Sequence, residues 1–365
     1  MIKVAVIGPA KLEKGGIATV INNIIKDVKI PEKSFVRYQS WKGGPIWFRA
    51  TYSLLKLVFF PIFLMFSRVD LIYIHFAHGG SFSRTKYYSK IAKIFNKKVI
   101  LHSHSSSFDL FYKSSSENNK ESIRRIFDKN CDCLIVLGKT WEKFYRRKIK
   151  VDPKKINILH NSVSCSHTKR YNAKSKVVTM FGRLGERKGT YDILKIAKIF
   201  EQNGRDVLFK LYGDGDSEKV NEIIRSENLR NVSVEHWVSD DQKIVAMSEA
   251  VMNILPSYNE GLPMSILESM ALGIPNVSTS VGSIEEVVEH GVNGFIVSPG
   301  DIQDLYNIID CYIYKSGVEY KEEISYAAYK KIKKDFNICD YGKKLDIILR
   351  RVEERYDKTD ISIRD

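Results

Sequence analysis

Short apolar runs alternate along this chain with stretches whose apolar residues recur every three to four positions, and that alternation restricts the fold more than any other feature. IKVAVI from Ile2 reads as a strand, and Ile17, Val20, Ile21, Ile24, Ile25 and Val28 then mark one face of a helix. DLIYIHF at 70–76, KVILH at 98–102, CLIVL at 133–137, INILH at 156–160, VVTMF at 177–181 and VLFKLY at 207–212 repeat the strand signal. Ile193, Ile196, Ala197 and Phe200 repeat the helical one. Strands that alternate with helices predict a doubly wound parallel α/β sheet, in which ligands bind outside the carboxyl ends of the strands. A chain of 365 residues is long enough for two such domains, and 44% hydrophobic content supplies their cores. The weakly patterned stretch at 164–175, SCSHTKRYNAKS, reads as the linker. The expected division is 1–165 and 166–340, with a boundary near Ser166, followed by a mixed amphipathic helix within 341–365.

Two motifs in the second half carry chemistry. In EGLPMSILE, Glu260 and Glu268 are separated by seven residues, and Gly261, Leu262 and Pro263 follow the first. Pro263 suits the first turn of a helix, which Met264, Leu267 and Ala271 continue at helical spacing until Gly273 and Pro275 end it. Glu260 therefore precedes a helix and Glu268 lies within it. A helix start presents unpaired N–H groups to phosphate or hydroxyl oxygens, and a carboxylate beside it accepts hydrogen bonds from hydroxyls. In GRLGERKG at 182–189, Arg183 and Lys188 sit where a buried strand turns into a helix, which places two cations suitably for a diphosphate. Gly213, Asp214 and Gly215 end the next strand, where glycines would let a ribose or base approach the backbone. A polyol with a diphosphate suggests a nucleotide sugar. Alone, each motif is weak: a Glu pair at this spacing is usually a solvated helix edge, and GRxxxxKG a surface turn. Together, in strand–turn–helix context, they are specific.

GRLGERKG, the GDG turn and EGLPMSILESMALGIPNV, in this order and spacing, resemble the retaining glycosyltransferases of family 4, over nearly all of residues 176–300. The resemblance implies the GT-B fold, two Rossmann-like α/β domains facing each other across a cleft, with the C-terminal helix of 341–365 packing back toward the first. It implies that Arg183 and Lys188 hold the donor diphosphate, that Glu260 with Gly261, Leu262 and Pro263 contacts the donor sugar, that Glu268 bonds the ribose, and that Gly213 and Asp214 border the nucleotide. Gly15 and Gly16 would close over the phosphates. His104, at the end of its strand, would face the sugar, with His102 the competing register, and His78 would line the acceptor side. The nucleotide-diphosphate sugar, with UDP favoured over GDP, is a substrate, and no cofactor is expected. No His-x-x-x-His helix or credible Asp-x-Asp loop points to a metal, and Arg and Lys can neutralise a leaving diphosphate without one. An epimerase or hydrolase of the same fold, and a non-catalytic nucleotide-sugar or membrane-surface binding protein, are the alternatives.

Charge is unevenly divided. Residues 1–165 contain 30 Lys and Arg against 11 Asp and Glu, a net of +19, whereas residues 166–365 carry a net of −4. The first domain is therefore expected to meet an anionic surface. Nucleic acid is disfavoured, because no recognised nucleic-acid motif accompanies the charge. LLKLVFFPIFLMF at 54–66, interrupted by Lys56 and Pro61, is too short to span a bilayer and is either interfacial or a buried core helix. Family members with a basic first domain often modify lipid-linked acceptors, so the resemblance implies a polyprenyl-diphosphate sugar or glycolipid acceptor. MIKVAVIG reads as a first strand rather than a secretory signal, which predicts a cytoplasmic protein, peripheral at the inner face of the membrane. Five cysteines give no disulfide framework and read as buried thiols.

Overall fold

The structure, a computed structural model, describes residues 1–165 and 168–361, with side chains through Glu354. Ser166, the expected boundary, lies outside the described residues. The chain forms two compact units, Met1–Ser162 together with Ile338–Asp365, and Val163–Asn337.

The first unit is built on six parallel strands, β1 (Ile2–Pro9), β2 (Lys33–Trp41), β3 (Leu71–Phe76), β4 (Lys98–Ser103), β5 (Cys133–Val136) and β6 (Ile156–Ile158), in the order β2-β1-β3-β4-β5-β6. The all-apolar runs become the central strands: every residue of β3 and β5 is buried, as a sheet covered on both faces requires. The edge strand β2 has no strand pattern in its sequence, KSFVRYQSW, because most of its residues are only half-buried and charged side chains alternate with none of the usual regularity. The terminal helix Ile338–Ile361 lays Tyr341, Leu345, Ile348, Leu349 and Val352 into this unit's core. Its Glu353 pairs with Lys33 on β2 at 2.6 Å.

The segment 46–66 forms helices Ile46–Val58 and Phe60–Phe66, a nearly continuous run of 21 residues that is long and apolar enough, by length and composition, to cross a membrane. The apolar stretch is thus longer than the 13 residues read from sequence. The core-helix alternative fails: only Phe60 and Leu64 are buried, Phe60 against Tyr38 and Tyr88. Trp47 is 69% exposed and Phe66 79%, and Ile46, Leu54, Leu55, Val58, Phe59, Ile62 and Met65 are exposed beside them.

The second unit has six parallel strands, β7 (Val177–Phe181), β8 (Leu208–Tyr212), β9 (Val232–Glu235), β10 (Met252–Leu255), β11 (Asn276–Thr279) and β12 (Phe295–Val297). Their order, β12-β11-β10-β7-β8-β9, is the doubly wound Rossmann order, with the chain reversing direction across the sheet between β7 and β10. Cys131 and Cys133 are buried as expected, but Cys311 and Cys339 are exposed and Cys165 half-buried. Cys311 and Cys339 sit where helical segments begin, at positions that face solvent rather than a sheet.

Candidate functional site

In the second unit, the loops after β7, β8, β10 and β11 are stitched together at the carboxyl edge of the sheet. Leu184 N donates to Asp214 O at 2.6 Å and Gly182 N to Tyr212 O at 3.0 Å, joining the loops after β7 and β8. Gly213 is required here, since a Cβ on it would stand 1.8 Å from the Gly182 carbonyl oxygen. That space is taken by the protein's own backbone, a different reason for the glycine from ligand approach. Arg187 closes the loop after β7 onto the loop after β10: its carbonyl accepts from Tyr258 N at 2.9 Å, and its Nη1 donates to Asn259 O at 2.9 Å. Gly282, at φ +62°, brings the loop after β11 against the same place, where a Cβ would meet Glu260 O at 2.1 Å.

This framework fixes Glu260 and Lys188 across the switch point. Lys188 Nζ lies 2.6 Å from Glu260 Oε1, with the two side chains 12% and 7% exposed. Ser257 Oγ donates to Glu260 at 3.1 Å, and Arg187 lies 3.3 Å away. Burial pushes the Glu260 carboxyl up, but the Lys188 ammonium, the Arg187 guanidinium and the Ser257 hydroxyl more than reverse this and leave it below the usual carboxylate range. Glu260 is therefore an anion at neutral pH. Leu262, Pro263 and Gly261 are buried beside it, the Gly261 carbonyl accepting from Ser283 N at 2.9 Å, and the helix Met264–Ala271 follows. Pro263 occupies the position just before that helix rather than its first turn.

The remaining expected residues fall differently. Arg183 is exposed and, among the described residues, makes no ion pair, so its guanidinium is available to a ligand. Asp214 is exposed. Glu268 lies in the helix as expected but pairs with Lys243, which also sits over the Phe181 ring, itself stacked on Tyr212 at 4.6 Å. Sequence gave no hint of this Lys243 contact. It also concealed Asp192, a buried carboxylate that accepts from Tyr258 Oη at 2.8 Å and so pins the loop after β10 to the helix Thr190–Gln202. This hydrogen bond, ahead of burial, pushes the Tyr258 phenol up to about 12. An Asp within the apolar stripe of a helix was the only available signal. Behind the site, Asn253, Ser269 and Asn276 form a buried network that ties the helix Met264–Ala271 to β10 and β11.

Gly15, Gly16, His78, His102 and His104 belong to the first unit. Gly15, at φ +117°, and Gly16 are exposed at the start of the helix Gly16–Asp27. His78 is exposed, with Nδ1 2.8 Å from Ser105 Oγ. His102 and His104 form a cluster with His75: His75 Nδ1 lies 2.9 Å from His104 Nε2, and His102 Nδ1 lies 2.8 Å from Tyr73 Oη. Burial pushes His104 down to about 3 and His75 and His102 well below the usual imidazole range, keeping all three neutral.

Two doubly wound parallel sheets in one chain, the second with an ion pair and a helix start at its switch point, define a GT-B type α/β protein. Comparison with known proteins finds that residues 167–331, within the second unit, match the family described as glycosyl transferases group 1. An uncharacterized 41.2 kDa protein in the cps region of Klebsiella pneumoniae is 26% identical over 360 residues, 92% of this chain and 98% of that protein. A UDP-Gal:alpha-D-GlcNAc-diphosphoundecaprenol alpha-1,3-galactosyltransferase of Escherichia coli is 26% identical over 203 residues, 50% of this chain and 52% of that protein. The crystal structure of HepE from Anabaena in complex with UDP superimposes with a TM-score of 0.76 at 17% identity, covering 96% of this chain and all of that one.

Proposed function

We propose that this protein is a retaining, metal-independent glycosyltransferase that moves a hexosyl group from a nucleotide-diphosphate sugar, UDP being the favoured nucleotide, to a lipid-linked saccharide or glycolipid in cell-surface polysaccharide biosynthesis. The observation that carries the reading is the Lys188–Glu260 pair at the β7/β10 switch point, beside the exposed Arg183 and the start of the helix Met264–Ala271. The related galactosyltransferase acts on a diphosphoundecaprenol-linked sugar and the other relative is encoded in a cps region, which supports the acceptor class. UDP in the HepE complex supports the nucleotide.

As the anomeric bond breaks, negative charge grows on the leaving diphosphate and positive charge on the sugar. Arg183, Lys188 and the helix N–H groups stabilise the former. Glu260 holds the Lys188 ammonium in place and accepts from a sugar hydroxyl, while Glu268 turns to the ribose. The acceptor hydroxyl attacks from the front face and its proton passes to a departing phosphate oxygen. The basic first unit and its apolar helix hold the enzyme at the inner face of the membrane.

The test is a panel of nucleotide sugars with and without polyprenyl-diphosphate-linked saccharides, read as released nucleoside diphosphate and as glycosylated lipid. One donor should release diphosphate only with acceptor. Release without acceptor and without a glycosylated product would establish a hydrolase instead, and no turnover together with no UDP or GDP binding by calorimetry would remove the enzyme reading. Arg183→Ala should lower turnover about 100-fold, since an oriented charge at the leaving group is worth that much, with no change in melting temperature.

A further inference from the structure

Three of the five histidines of the first unit are arranged for more than packing. His75 closes β3, His102 is its direct register partner on β4, and His104 follows β4, so all three lie at the carboxyl edge of the sheet. The order β2-β1-β3 puts the switch point of the first unit, where doubly wound sheets bind ligands, between β1 and β3, next to this cluster on β3 and β4. One ring nitrogen from each histidine lies within 4.8 Å of the other two. The Nε2 atoms of His75 and His102 are buried and have no hydrogen-bond partner. A buried nitrogen without a partner loses its hydration with nothing in return, and here two such atoms stand beside a third imidazole. His75 is 4% exposed and His102 is fully buried, while His104 is half-buried and leaves an approach open.

We infer that His75, His102 and His104 form a three-nitrogen site for a borderline divalent cation, zinc, whose fourth position takes water. Nitrogen donors of tetrahedral zinc stand about 3.3 Å apart at Zn–N distances of about 2.0–2.1 Å, so small rotations of the rings complete the site. The Tyr73 hydroxyl on His102 Nδ1 is the outer partner that a zinc-bound imidazole ordinarily has, and it frees Nε2 for the metal. Sequence spacing concealed the site because its ligands come from two strands 27 residues apart, not from one helix. This cation does not replace Arg183 and Lys188 at the leaving diphosphate.

The experiment uses the untagged full chain, stripped with chelator and dialysed against zinc, with metal measured by mass spectrometry and with cobalt as a visible-absorption probe. One zinc per chain is expected, together with tetrahedral cobalt bands that zinc abolishes. His104→Gln, at the half-buried position, should weaken zinc binding at least tenfold and lose the cobalt bands, whereas the control His290→Gln in the second unit should bind as wild type. Zinc should raise the melting temperature of the wild type and leave that of His104→Gln unchanged. His102→Gln serves as a second ligand variant if its circular dichroism shows it folded. Absence of stoichiometric zinc at micromolar concentration, or equal binding by wild type and His104→Gln, overturns the inference, and both are read as metal binding rather than as turnover.

Discussion

Lys188 and Glu260 illustrate how a residue pair divides its role between structure and chemistry. Their carboxylate and ammonium are both largely buried, so removing one leaves the other desolvated and uncompensated, at a cost of about 3 kcal/mol or more. Lys188→Met should therefore lower stability to urea by roughly that amount, and the double change with Glu260→Gln should recover part of it; additive losses in the two single variants would show that the pair is not coupled. Because the Glu260 pKa is held below its unfolded value, the pair stabilises the fold above the ordinary carboxylate pKa. That contribution is lost as pH falls through the lowered value. Wild type should thus lose stability in acid faster than Glu260→Gln. Both residues could be picked out from their motifs, as could Arg183, since these positions lie at fixed offsets from glycine turns. Arg187, Asp192 and Tyr258, which hold this framework, could not, because their contacts join segments 66 to 73 residues apart.

At the scale of the element, the helical run Ile46–Phe66 decides how the first unit meets its surroundings. Its composition admits a core helix and an interfacial one equally, and the packing removes the first: two side chains anchor it and nine large apolar ones face outward. Arg49 lies over Trp41, Lys56 over Tyr52 and Lys42 over Phe48, so cations border the apolar face. Each large side chain transferred from water to lipid contributes about 1.5–3 kcal/mol. Trp47→Ser with Phe66→Ser should reduce sedimentation with anionic phosphatidylglycerol vesicles at least tenfold while melting temperature holds. Unchanged sedimentation would assign the apolar face to another role. The strand β2 is the opposite case, an edge element whose half-buried residues left no pattern to read.

Across the whole molecule, chain order and unit membership do not coincide. The terminal helix Ile338–Ile361 follows the second unit but belongs to the first, with Leu345 and Leu349 wholly buried. Truncation after Asn337 should expose that core, so limited proteolysis should digest residues 1–162 first and leave a resistant fragment near 163–337. Equal resistance of both units would show that the helix adds little. The alternation of apolar runs and helical stripes, local in range and repeated at each βα unit, was sufficient to specify two doubly wound sheets and to put the motif glycines, Arg183, Lys188, Glu260 and Glu268 in their correct elements. Which cation meets which carboxylate was decided by tertiary structure: Lys188 takes Glu260 and Lys243 takes Glu268, because strand order brings β7 beside β10 and the glycine contacts of Gly213 and Gly282 close the loops upon them. The meeting of His75, His102 and His104 was likewise beyond any linear pattern, since register between β3 and β4 is set by the burial of whole strands rather than by the residues at their ends.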